Sequence, residues 1–111
     1  MANTSTFIQG SKALTTTAAR LSATKGTLVR EVVIELFSTA DKVRMGTSAL
    51  TTSLGIQILP ATLGAQYTLS AENAAERGTH GIGSGQARID LYDVWVVAAT
   101  TTPTVTWLAI T

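Results

Sequence analysis

The sequence predicts an all-β protein: an antiparallel β-sandwich of jelly-roll-like type, in one domain with a flexible N-terminal arm. Three observations predict it. Runs rich in Val, Ile, Tyr, Trp and Thr recur along the chain, and these residues fit a pleated, half-buried surface. Turn signals separate the runs every eight to twelve residues or so, giving roughly seven or eight short strands. No stretch keeps the apolar period of a long helix.

Met1 to Ser11 is small and polar, with Phe7-Ile8 as its apolar pair. It reads as an arm, disordered alone or docked on a neighbour, which leaves residues 12–111 for the sandwich. Lys12 to Ala23 has room for one or two short strands, and its threonines argue against a helical turn at Ala18–Leu21. Thr27 to Phe37 reads as one strong strand. Val32, Ile34 and Leu36 mark its core side, and the other side is mixed. Ser38 to Lys42 is a turn, Val43–Gly46 a short strand ended by glycine, and Thr47–Leu54 a Ser/Thr-rich connection. Gly55–Leu59 is a strand stopped by Pro60. A turn and Gly64 lead into Ala65–Leu69.

Ala71–Arg77 could make two helical turns, and Gly78–Gly85 is glycine-rich. Two β-rich runs close the sequence, Arg88–Ala98 and Pro103–Thr111. An apolar final run of this kind is expected to pair into a sheet, and Trp95 and Trp107 then fall in adjacent strands.

Composition narrows the function classes. The chain has 111 residues, a net charge of +1 and no cysteine. A near-neutral balance leaves no electrostatic footprint for nucleic acid or an anionic membrane. Disulfides and thiolate metal sites are excluded. Only 14% of residues are charged, against about 25% in typical soluble domains. A Thr-, Ser- and Ala-rich surface this poor in charge suggests that part of it is covered by other subunits. The sequence opens with no basic-then-apolar signal and holds no window near the ~20 apolar residues of a membrane span. Synthesis in a cytoplasm, without a cleaved signal, is the expectation.

Catalytic chemistry finds little support. The loop Gly78–Gly85 lacks the lysine of a phosphate-binding loop, and a strand follows it where a helix should. His80 is the sole histidine. With Glu72 and Glu76 it makes a poor metal set. Asp90 and Asp93, read on one strand, point to opposite faces. Glu31 and Glu35 share a face and read as solvated or ion-paired. Ser84 has neither an elbow motif nor a triad. No catalytic, cofactor or metal site is expected, and the protein is read as no enzyme. Trp95 and Trp107 read as core or interface anchors, with a sugar platform as the alternative.

The order of elements resembles small β-sandwich virion proteins of tailed bacteriophages. The resemblance runs through Val32-Val-Ile-Glu-Leu36, Asp41-Lys-Val-Arg-Met-Gly46, Gly55-Ile-Gln-Ile-Leu59, the glycine before Tyr67-Thr-Leu69, Asp93-Val-Trp-Val-Val97 and Val105-Thr-Trp-Leu-Ala-Ile110. It covers residues 27–111, with Glu72–Gln86 looking like an insertion. Proteins of that class are found as head decoration or cement proteins, head-fibre bases and tail-associated modules. The resemblance implies a virion protein that binds the major capsid protein or other virion subunits, as a homo-oligomer with a trimer favoured. A tail or fibre module that binds a host surface glycan is the alternative. The expected partner contacts are Thr6, Phe7 and Ile8 of the arm, Glu72, Arg77, His80 and Ile82 of the loop, and Trp107 with the exposed side of the last strands. Deleting residues 1–11 is expected to weaken attachment and leave the fold intact.

Overall fold

A computed structural model describes residues 6–71 and 88–111. The strands are β1 (Phe7–Ala13), β2 (Ala19–Arg20), β3 (Leu28–Val29), β4 (Glu31–Ser38), β5 (Val43–Gly46), β6 (Ile56–Leu59), β7 (Gln66–Ser70), β8 (Ile89–Asp90), β9 (Trp95–Ala98) and β10 (Thr104–Ile110). Two four-stranded sheets, ordered β1-β10-β4-β7 and β2-β9-β5-β6, enclose the core, and β3-β8 form a separate pair. Every pairing is antiparallel. The all-β, antiparallel expectation holds. Among the described residues no helix is long and apolar enough to cross a membrane.

Alternation of side chains builds the first sheet. In β4, Val32, Ile34 and Leu36 are fully buried, while Glu31, Val33 and Glu35 on the other face are half-buried. In β10, Val105, Trp107 and Ala109 point inward, and Thr106, Leu108 and Ile110 point out. Register stacks these positions into rows. Trp107 lies between Gly10 and Ile34, and Ala109 between Ile8 and Val32. Val43, Leu59, Val96 and Ala98 of the second sheet meet them, with Leu14, Leu21 and Leu91 closing the ends. Each such fully buried aliphatic side chain contributes about 1.5–3 kcal/mol relative to exposure.

The structure differs from the sequence reading at four places. Phe7–Ser11 is no arm: it is most of β1, paired to β10 without a register shift. The reason is long-range, because β1 finds its partner some hundred residues away and shows only a weak local pattern. Deleting residues 1–11 would therefore strip a strand from the sheet and uncover Trp107. Second, the run Thr27–Phe37 breaks at Arg30 into β3 and β4. Val29 and Val32 are both fully buried, and residues three apart cannot share a face of one strand.

Third, Arg88–Ala98 is not one strand. A single 3-10 turn, Leu91–Asp93, separates β8 from β9. The Asp90 carboxylate caps it by accepting the Tyr92 N–H at 3.0 Å, and also accepts the Gly26 N–H at 3.0 Å. The strand-parity argument for Asp90 and Asp93 thus falls away. Fourth, Trp95 and Trp107 stand in different sheets. The expected helical turns of Ala71–Arg77 and the glycine loop lie, from residue 72 on, outside the described residues.

Candidate functional site

Three polar or aromatic arrangements stand out, and two of them are structural. The first is Asp41, 5% exposed in the turn before β5. Its carboxylate accepts the backbone N–H groups of Lys42 (2.8 Å), Thr100 (3.0 Å) and Thr101 (2.8 Å), and the Thr101 hydroxyl (2.8 Å). Burial pushes its pKa up. The bonds from the Thr100 N–H, the Thr101 hydroxyl and N–H, and the Lys42 N–H outweigh burial and hold it down at about 2. Every strong donor around it is already used, so Asp41 ties the β4–β5 turn to the β9–β10 loop.

The second is Arg20. Its guanidinium lies 3.7 Å from the Tyr92 ring centroid and 4.5 Å from that of Trp95. Nη1 donates to the Tyr92 carbonyl at 2.7 Å and lies 3.9 Å from the Asp93 carboxylate. Asp93 is largely exposed, so the ion pair adds little. The stacking is worth about 0.5–2 kcal/mol and clamps β2 to β9 and the 3-10 turn. Trp95 does stand beside an arginine and an aspartate, as a sugar platform would, but a ring face is taken by Arg20.

The third is the outer face of the first sheet, the surface with no such internal use. Register lays it out in three rows: Phe7–Ile110–Glu31–Ser70, Gln9–Leu108–Val33–Thr68 and Ser11–Thr106–Glu35–Gln66. The last two rows, without Thr68 and together with Gly10 and Trp107, line an open concavity of about 630 Å³. Inside it the Gln66 amide donates to Glu35 at 2.6 Å. Leu108 forms an apolar centre with Val33, and Phe7 (69% exposed), Leu108 (47%) and Phe37 (63%) project into solvent. The outward positions of these four strands carry Glu31 and Glu35 and no lysine or arginine. The face is therefore mixed, with an apolar centre and a mildly acidic balance, on a chain of net charge +1.

The residues expected to contact a partner are placed as follows. Phe7 lies on this face. Thr6 is tied to Thr111, with hydroxyls 2.8 Å apart and the Thr111 N–H donating to the Thr6 carbonyl at 2.9 Å. Ile8 points inward and packs half-buried on the core. Trp107 is 9% exposed and offers no ring to a partner: its indole occupies the space over Gly10, where an added Cβ would stand 2.6 Å from it. The indole N–H is buried, with no acceptor among the described residues. Glu72, Arg77, His80 and Ile82 lie outside the described residues.

The exposed side of the last strands is present as Thr106, Leu108 and Ile110. Val33, on the mixed side of the run that the parity of Val32, Ile34 and Leu36 sets opposite the core, lies on this face too. Among the described residues no three His, Asp or Glu side chains come together in a metal-holding group.

No protein family and no curated protein matches the sequence. Among solved structures, the SPBc2 prophage-derived protein YomS is similar over 100% of this chain and 98% of its own, with 12% sequence identity and a TM-score of 0.48.

Proposed function

We propose that the chain is a structural subunit of a tailed-bacteriophage virion, a capsid decoration or cement protein that binds the assembled shell as a homo-oligomer and performs no catalysis. The observation that carries the contact role is the outer face of the first sheet. Phe7 and Leu108 stand exposed there, and Leu108 lines an open concavity. Exposed apolar side chains gathered on one sheet face mark an interaction surface. The order of strands and glycines that resembles the small virion sandwiches supports the phage assignment. A protein that binds the closed shell and not its separated subunits stabilises the shell by mass action.

The glycan-binding alternative lacks its tryptophan platform, since Trp107 is buried and Trp95 is stacked under Arg20. Co-sedimentation with empty heads of the phage that encodes the chain tests the proposal. Saturable binding to heads, and none to unassembled capsid subunits, is expected. Failure to bind heads, together with binding to tails or fibres, would overturn the decoration role.

A further inference from the structure

We propose that the free edge of β1 is a self-association site, where two copies of this chain pair antiparallel about a two-fold axis through Gly10. Among the described residues β1 pairs on one side only, with β10. The phase of that ladder follows from its ends. The Leu14 N–H donates to the Pro103 carbonyl at 2.7 Å, and the Thr111 N–H to the Thr6 carbonyl at 2.9 Å. Backbone groups alternate direction along an antiparallel strand, and the register holds throughout β1. Even-numbered residues therefore bond β10. Phe7, Gln9, Ser11 and Ala13 turn their N–H and C=O groups out of the sheet. All four are exposed.

An open edge of this kind is a template for another strand. A second copy fits it in one register particularly well. Centring on Gly10 sets Phe7 of one copy against Ala13 of the other and Gln9 against Ser11, so every outward N–H and C=O is used. Phe7 gains a small neighbour to lie over, and the Gln9 amide meets a hydroxyl. On the inner side Ile8 comes beside the stem of Lys12, the only charge in the strand, and the two lysines stay four residues apart along the ladder. A foreign strand would need a feature to recognise, and β1 presents no charge on its outward positions to select one. The pairing joins the two sheets into eight strands with a continuous outer face. It makes a two-fold pair the unit, in place of the three-fold ring the virion resemblance suggests.

The test is light scattering of the full chain from micromolar to submillimolar concentration, without any capsid. The expected mass is twice the 11.6 kDa of the chain. Ser11→Pro removes an outward N–H and no bond to β10, and is expected to read as a monomer with an unchanged circular dichroism spectrum. A second variant, Phe7→Lys with Ala13→Lys, sets lysine against lysine twice across the axis, at exposed positions, and is also expected to be monomeric. A monomeric wild type, a trimer, or a dimer that survives the lysine variant would each overturn the proposal. Head binding is measured separately, so a failed β1 pairing leaves the decoration role standing.

Discussion

Replacing Asp41 with asparagine is expected to weaken the fold and to flatten its acid response. The side chain keeps its shape but loses its charge. One of its two oxygens becomes an NH₂ facing N–H and O–H donors. At neutral pH the cost is that of a charged acceptor held by several part-buried hydrogen bonds, about 2 kcal/mol. The pH dependence isolates the charge. The folded pKa is about 2, below the ordinary 3.8, so the carboxylate adds stability that is fully present above pH 5 or so and is lost as pH falls toward about 2. The gap amounts to about 2 kcal/mol at 1.36 kcal/mol per pH unit. Urea unfolding of wild type and Asp41→Asn at pH 7, 5, 4, 3 and 2 measures both effects. Wild type should lose about 2 kcal/mol more than the variant across the acid range. Parallel pH profiles for the two proteins would refute the tie between the β4–β5 turn and the β9–β10 loop.

Three further outcomes follow from named contacts. Gly10→Ala drives a methyl group into the Trp107 indole and should cost about 1–3 kcal/mol in thermal or urea unfolding. Arg20→Ala should cost about 1 kcal/mol and shift tryptophan fluorescence to the red, as Trp95 loses the guanidinium over its ring. Thr39 holds a positive φ of 61°, which a β-branched residue adopts at a cost of about 1 kcal/mol or more. Thr39→Gly should therefore raise the melting temperature.

Local pattern made much of this fold legible. Val32, Ile34 and Leu36 alternate without exception and form the core side of β4, Val43–Gly46 ends at its glycine, and Pro60 stops β6, so β5 and β6 are found close to their expected bounds. What stayed hidden depends on distant partners. Phe7–Ala13 has a weak pattern of its own and becomes a strand because β10 lies alongside it. The 3-10 turn after β8 exists because the Asp90 side chain competes for the Tyr92 N–H, and no hydrophobic period announces that. Trp107 read as a core or interface anchor, and the choice between the two stayed open because its register partner, a glycine with room for an indole, lies 97 positions earlier. For the same reason only part of the candidate surface was visible. The outward side of β10 follows from parity, whereas its neighbours Gln9, Ser11 and Gln66 require the sheet order.

The most direct test of the account is head binding by Leu108→Glu. Leu108 sits at the centre of the outer face, 47% exposed, so a glutamate there leaves the core untouched and adds a third carboxylate beside Glu31 and Glu35. An unchanged melting temperature and at least a tenfold loss of affinity for empty heads, about 1.4 kcal/mol, are expected. Wild-type affinity in a folded Leu108→Glu protein would contradict this, and would remove the outer face of the first sheet as the surface that meets the shell.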